Sequence, residues 1–383
     1  GPVREHRSRV LQDERVSIIV ELVGGTSIAK DITVKALSAG KHVVTANKAL
    51  LAHHGSELFA LAGEKNVSLA FEASCGGGIP IVRALYDGLL ANRIDAMFGI
   101  VNGTCNYILT AMTQRGKTYA EALQEAQRDG LAEADPTLDV SGMDSAHKLT
   151  LLGSMAFGST VSLDAIPVEG IDSLDLMDVN FGRELGYIIK LLAVAQRTDS
   201  GISCRVRPAF INTDHPLAWI SGPFNAVSVY GHAVGHTMYY GRGAGGSPTA
   251  SAVISDILSI SLKTYQASYG RLQLWPGQTD TAAITPISEL EGRYYIRLMV
   301  QDKPGVFAKI AAVFADHKIS ISSVLQKEPT GPENEPTIVP IVIITHTAIE
   351  GNVRKALRQL ETFNSVTDKA ICISIVDEHK EEI

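Results

Sequence analysis

A chain of 383 residues with 45% hydrophobic side chains is too long for one compact core and implies two or three domains. Its net charge of −7, with no Lys/Arg cluster interleaved with aromatics, excludes the electrostatic footprint of a nucleic-acid partner. No run approaches the roughly 18 apolar residues of a spanning helix, and the start lacks the basic-then-apolar order of a secretory signal, so the reading is a cytoplasmic protein with no membrane partner. Cys75, Cys105, Cys204 and Cys372 stand too far apart for a redox or zinc-binding pair and fit a reducing compartment.

Gly1-Pro2 and the charged stretch Val3 to Arg15 read as a start that no structural element precedes, so the native chain is expected to begin earlier. From Val16 the pattern alternates. An apolar run to Val23 ends at Gly24-Gly25 and an amphipathic helix covers Ile28 to Ala39. A strand follows at His42 to Ala46, then a helix at Lys48 to Glu64 and a strand at Val67 to Ala73. Strands alternating with helices predict a parallel, doubly wound α/β sheet, whose ligands sit beyond the strand carboxyl ends at Gly24-Gly25, Asn47-Lys48 and Ser74 to Gly78.

The stretch from Pro80 to Gln273 reads as an α+β unit inserted before a closing helix. Its helices fall near Ile81–Leu90, Tyr119–Asp129, Ser145–Phe157 and Ser251–Leu262, with strand-like runs at Ala96–Val101 and Ala226–Tyr230. After a loop with Pro276, Gly277 and Pro286, a third unit runs from Arg293 to Val376. It reads as strand Tyr294–Val300, turn Asp302-Lys-Pro-Gly305, helix Val306–His317, strands Ser320–Gln326 and Thr337–His346, helix Ile349–Leu360 and strand Ala370–Val376. That is the βαββαβ order of a ferredoxin-like sandwich, with a polar surface hairpin from Glu328 to Pro336.

The segment Gly130 to Lys148 carries four carboxylates, Glu133, Asp135, Asp139 and Asp144, ahead of a lysine. Pro136 and Gly142 interrupt helical continuity, so Glu133 and Asp139 fall on backbone able to curl around a ligand. Ser141 and Asp144 have capping-box spacing, and Lys148, four residues beyond Asp144, shares its helix face. A capped helix with a surface ion pair is the plain alternative. Leu149, Leu151, Leu152, Met155 and Phe157 argue against it, because they bury the helix and place the lysine in a cleft. A partly buried lysine held by a carboxylate can transfer a proton to a reacting oxygen, and the neighbouring carboxylates suit an ammonium group.

Other polar clusters are less specific. Val101-Asn-Gly-Thr-Cys-Asn-Tyr107 joins a strand to an apolar helix and leaves N–H groups, those of Gly103 and Thr104 among them, for an anion or a plain cap. Lys48 opens its helix either as an anion contact or as a solvated side chain. Glu72-Ala-Ser-Cys-Gly-Gly-Gly-Ile79 and Tyr240-Gly-Arg-Gly-Ala-Gly-Gly-Ser-Pro-Thr249 are glycine-rich turns able to bind an ion, and neither is a P-loop. His232 and His236 have metal-like spacing without a helix to bring them together.

Taken in order, Val20-Glu-Leu-Val-Gly-Gly25, Gly40 to Lys48, Phe71 to Pro80, Val101-Asn-Gly-Thr104, Ala132-Glu-Ala-Asp-Pro136, Asp144 to Lys148 and Gly243-Ala-Gly245 resemble homoserine dehydrogenase across Val16 to Leu262. The segment from Arg293, with Asp302 to Gly305, resembles the ACT regulatory domain. The resemblance implies a Rossmann-like nucleotide-binding unit at 1–79 and a catalytic and oligomerisation unit at 80–273, whose last helix returns to the first. A linker at 274–292 and an ACT unit at 293–383 complete the chain. It further implies reduction of L-aspartate 4-semialdehyde to L-homoserine with NADP or NAD, toward threonine, methionine and isoleucine, by a homodimer or homotetramer under an amino-acid effector such as L-threonine.

Residue by residue, the resemblance makes Lys148 the proton donor and Asp144 its orienter and a substrate contact. Glu133, Asp139, Lys48, Gly103 and Thr104 fall at substrate positions. Gly25, Lys48, Gly130, Glu133 and Gly245 fall at cofactor contacts, while Glu72, Cys75, Gly77 and Ile79 match a structural monovalent-cation site for sodium. Two departures stand out. The family opens with a strand, a G-x-G-x-x-G turn and a helix that cradle the pyrophosphate, and none precedes Val16, which implies an incomplete cofactor site. Cys75 and Cys105 also stand where thiols are unusual. The competing readings are a semialdehyde dehydrogenase working through a thioester on Cys105, and a catalytically silent amino-acid-binding regulator.

Overall fold

The computed structural model describes residues 9–265, 274–277, 279–327 and 338–380; the expected polar hairpin 328–336 and the first residues of the charged start lie outside them. The first unit is a parallel sheet in the order β1 (Ile18–Glu21), β2 (His42–Thr45), β3 (Leu69–Ala70), connected by α1 (Ser27–Ser38) and α2 (Lys48–Glu64). Asn47 starts α2 by accepting the Leu50 N–H at 3.0 Å, so the helix opens one residue later, with Lys48 at its first position.

The expected regular helix at Ile81–Leu90 is broken. Only α3 (Ile81–Arg83) is α-helical, and Ala84–Gly88 widens into a π-helical turn. The Glu72 carboxylate takes the N–H groups of Val82 and Arg83, acting as an external cap for this short segment.

The second sheet runs β10-β11-β9-β13-β6-β5-β4-β7-β8, with β12 (Ala348–Ile349) paired to the start of β9. Its half nearer the first unit in sequence comprises β4 (Ile94–Ile100), β5 (Tyr187–Thr198), β6 (Gly201–Asn212), β7 (Phe224–Gly231) and β8 (Gly235–Arg242). Helices α4 (Gly103–Arg115), α5 (Tyr119–Arg128), α6 (Thr137–Val140), α7 (Met143–Phe157) and α8 (Leu176–Glu184) belong to the same region. The closing helix, α9 (Gly246–Ser261), begins earlier than periodicity suggests because Pro248 is tolerated in a first turn that needs no N–H. Its Asp256 accepts the Glu72 N–H at 2.9 Å.

The carboxyl-terminal half of the sheet is the expected βαββαβ sandwich: β9 (Glu291–Gln301), α10 (Val306–Asp316), β10 (Ile321–Gln326), β11 (Ile338–Thr345), α11 (Glu350–Leu360) and β13 (Ile371–Ile375). Tyr294, Ile296, Leu298, Ile310, Phe314, Val353 and Leu360 fill a core of its own. Its strands are nevertheless continuous with those of the middle region, since β13 pairs in parallel with β6 through Ser374–Ala209 and Ile375–Phe210. The connecting stretch is also pinned: Trp275 stacks on Phe59 of α2 at 5.1 Å, and Ile202 and Thr285 exchange backbone bonds with the stretch and β6.

Candidate active site

Helices α2 and α7 start at the carboxyl edge of the parallel sheet, and each brings a lysine to one carboxylate. Lys48 Nζ lies 3.0 Å from Asp144 Oδ1, and Lys148 Nζ lies 2.7 Å from Asp144 Oδ2. Lys148 also donates to the Val101 carbonyl at 2.6 Å. Its ammonium has three donors, so two fixed acceptors leave one N–H for a ligand.

Asp144 is 3% exposed and Lys148 8%. Burial alone would raise the Asp144 pKa, but Lys148, then Lys48, and hydrogen bonds from Lys148 and Asn102 hold it well below the usual carboxylate range. Burial likewise works against the Lys48 ammonium; Asp144 outweighs it, with Cys75 and Asp139 adding their pull, so its pKa stands above the ordinary lysine value. Both groups are therefore charged at neutral pH.

Asn102 was not singled out by the sequence, yet it ties the site together. Its side-chain amide donates to Asp139 Oδ1 at 2.7 Å and to Asp144 Oδ2 at 2.8 Å, while its oxygen caps α4 by accepting the Cys105 N–H. An asparagine three residues ahead of a helical N–H is a legible cap signal; its second set of partners is not. The capping box expected between Ser141 and Asp144 does not form. Gly142, at φ +85°, is the N-cap of α7, no side chain caps the helix, and the Asp144 carboxylate is spent on Lys48, Lys148 and Asn102.

Of the other candidates, Asp139 joins the cluster through Asn102. Thr104 donates its hydroxyl to the Leu131 carbonyl at 2.8 Å, anchoring the Gly130–Glu133 loop to α4. Glu133 is exposed on that loop, and its carboxylate takes no partner among the described residues. Gly25 is held to the start of α2 by Asn47, which donates to its carbonyl at 2.7 Å. Glu21 shapes the same turn, accepting from the Val23 N–H and the Thr45 hydroxyl.

The Cys105 thiol is fully buried and donates to the Asp139 carbonyl at 3.2 Å. Burial, then Asp139 and Asp144, push its pKa well above the ordinary thiol value, which disfavours the thiolate a covalent route needs. His232 and His236 lie on a turn and on β8; the first accepts the Arg93 N–H, and the second pairs with the Ser228 hydroxyl. Among the described residues, no group of three or more His, Cys, Asp or Glu is placed to hold a metal.

The turn from Glu72 to Ile79 packs against the second glycine loop. A Cβ on Gly77 would stand 2.5 Å from the Gly243 carbonyl, and one on Gly243 would overlap the Asn225 side chain. Among the described residues, neither polar atom of the buried Asn225 side chain has a partner. Glu72 and Asp256 form a buried acidic pair in which burial, followed by the Asp256 charge, pushes the Glu72 pKa up to about 8, while burial brings Asp256 to about 6. Gly24, Gly25 and Gly130 have open space where a side chain would stand, and Gly245 lies at φ +121°. Bare backbone of this kind lets a ligand approach closely.

A parallel nucleotide-type sheet with a charge-clamped lysine at its carboxyl edge, followed by a ferredoxin-like unit, defines a dinucleotide-dependent dehydrogenase with an attached regulatory domain. The homoserine dehydrogenase NAD-binding pattern matches residues 2–72, the homoserine dehydrogenase pattern 80–258 and the ACT domain pattern 294–362. Homoserine dehydrogenase of Pseudomonas aeruginosa is 45% identical over 94% of this chain and 83% of its own length; that of Bacillus subtilis is 41% identical over 94% and 82%. A crystal structure of a homoserine dehydrogenase from Thiobacillus denitrificans superposes with a TM-score of 0.90 at 42% identity, covering 97% of this chain and 84% of that one. A hyperthermophilic archaeal homoserine dehydrogenase in complex with NADPH gives 0.58 at 29% identity, over 67% and 75%. The chain belongs to the homoserine dehydrogenase family.

Proposed function

We propose that the Lys48–Asp144–Lys148 cluster interconverts L-aspartate 4-semialdehyde and L-homoserine, with Lys148 as the acid in reduction. A nicotinamide dinucleotide, when bound, supplies or accepts the hydride. In reduction the aldehyde carbon gains a hydride, its oxygen becomes an alkoxide, and Lys148 gives that oxygen a proton and is left neutral until solvent reprotonates it. The observation that carries this reading is the Lys148 ammonium, fixed by Asp144 and the Val101 carbonyl with one donor to spare. Asp144 orients it. Glu133 and Asp139 offer negative charge to the substrate ammonium, and Gly103 and Thr104 present the start of α4 to its carboxylate.

Gly25, Lys48, Gly130, Glu133 and Gly245 would hold the dinucleotide, and the archaeal relative's NADPH favours NADPH over NADH. Glu72 with the carbonyls of Cys75, Gly77 and Ile79 would hold a sodium ion, whose charge would offset the buried Glu72–Asp256 pair. A cavity of about 470 Å³ beside Lys303, Gly305, Lys309 and Ser365 supports an effector site at the Asp302–Gly305 turn, with L-threonine as its ligand. The sheet ends in β10 and β8, with Val324, Met238 and Tyr240 exposed, which favours a homodimer or homotetramer. No helix among the described residues is long and apolar enough to cross a membrane; together with four free cysteines this supports a cytoplasmic enzyme of threonine, methionine and isoleucine synthesis.

The test is Lys148→Ala in the full enzyme. Turnover should fall by about two to four orders of magnitude, with the dinucleotide Kd within twofold of wild type. A variant that keeps its turnover removes Lys148 as the acid.

A further inference from the structure

The regulatory unit and the substrate carboxylates meet across two adjacent residues of β6. On one side, Arg207 donates to Glu350, the first residue of regulatory helix α11, at 2.9 Å. Glu350 is 1% exposed; it also accepts from Arg354 at 2.7 Å and from the Tyr294 hydroxyl at 3.3 Å. On the other side, the backbone of Val206 clamps the strip Pro167–Glu169, taking the Glu169 N–H at 2.8 Å and giving its own to the Pro167 carbonyl at 2.9 Å. Arg354 grips the same strip from above, through Glu169 at 3.0 Å.

That strip lies directly on the turn that carries the active-site acids. Ile171 donates to the Val140 carbonyl at 2.8 Å, and a Cβ on Gly170 would stand 2.4 Å from the same oxygen. Gly142 is packed less tightly but still closely: its Cβ position lies 3.0 Å from Val168 and 3.2 Å from the Glu169 carbonyl. Val140 ends α6 one residue after Asp139, and Gly142 opens α7 two residues before Asp144. Both acids are bound to the single amide of Asn102, so a shift of this turn moves them against that amide. Close-packed glycine contacts transmit displacement rather than absorb it.

We propose that Glu350 and Arg354 are positioning residues for the substrate acids, acting through Arg207–Val206 and the Pro167–Ile171 strip on Asp139 and Asp144. The inference rests on the reading of Asp139 as a substrate contact and names how the regulatory unit reaches it. An amino acid bound by that unit would act on substrate affinity by displacing α11.

The experiment measures steady-state kinetics of homoserine oxidation for Glu350→Gln, which keeps the side-chain volume and removes the charge, and for Arg354→Ala, whose half-exposed site tolerates truncation. The KM for homoserine should rise roughly three- to tenfold, with the KM for NADP within twofold. Combining Glu350→Gln with Asp139→Asn should raise it no further than Asp139→Asn alone, because both act on one contact. An unchanged KM in both single variants, or full additivity in the double, overturns the route. If Asp139→Asn itself leaves the KM unchanged, the substrate-contact reading fails first and takes the route with it. As a second readout, Glu350→Gln should still bind L-threonine in calorimetry while losing any threonine-induced change in the KM; retention of that change also overturns the route.

Discussion

Replacing Asp144 by asparagine isolates the charge at the centre of the site, because the amide has the same shape and can still accept one hydrogen bond. At 2.7 and 3.0 Å, and with an effective dielectric near 20, each lysine is attracted by roughly 5–6 kcal/mol, gross of desolvation. With Asp144 3% exposed, losing the charge strands two ammonium groups against each other, and breaking a buried pair in this way costs about 3–5 kcal/mol. The pH dependence has a defined sign. The folded pKa of Asp144 is depressed, so its contribution is complete above the unfolded value of about 4 and is lost as pH falls through the folded value. Urea unfolding of wild type and Asp144→Asn at pH 7, 5, 4 and 3 should show a gap that is full at pH 7 and 5 and narrows below 4. Turnover at pH 7 should fall about a hundredfold or more, since Lys148 loses its orienter. A gap under about 1 kcal/mol at pH 7, or one that stays constant to pH 3, refutes the shared-carboxylate account.

Two further outcomes follow from the geometry. Cys105→Ser should retain turnover within about threefold, because the thiol serves only as a neutral donor to the Asp139 carbonyl and serine donates as well; loss of activity with intact fold, read from steady-state rates and circular dichroism, would restore a covalent route. Gly77→Ala should lower the melting temperature, at a cost of about 2 kcal/mol or more, since the added methyl meets the Gly243 backbone at 2.5 Å from a residue already at φ +57°. It should also raise the dinucleotide Kd by displacing the Gly243–Gly245 loop; differential scanning fluorimetry and fluorescence titration read the two effects, and a variant normal in both overturns the packing argument.

Local chemistry was legible where local forces decide. The alternation from Val16 to Ala73, the start of α2 at Lys48 and the βαββαβ order after Arg293 all follow from periodicity and turn residues, and they agree with the structure to within a few residues. The Asp144–Lys148 pair was legible too, because four residues is one helical turn. Chemistry set by tertiary contact was not. Asn102 meets Asp139 and Asp144 across 37 and 42 residues, and nothing near Asn102 marks either partner. The Ser141–Asp144 spacing pointed to a capping box, but Gly142, in the left-handed region, turns the chain there and frees Asp144 for the lysines.

The weld between the regulatory and catalytic units shows the same division. A strand's own residues state which face is buried, not which edge finds a partner, so β13 reads as the last strand of a self-contained sandwich. In the structure its free edge pairs with β6, at Ala209 and Phe210, and completes one continuous sheet. The charges that lock this junction are likewise split across the chain, with Arg207 on Glu350 and Arg297 bidentate on Asp178 of α8. Each carboxylate is at most 2% exposed in its side chain, and an unpaired charge at that depth would be costly, so neither half of the junction is self-sufficient. The two units therefore move together or expose buried charge, and that physical constraint is what the proposed route from Glu350 to Asp139 and Asp144 relies on.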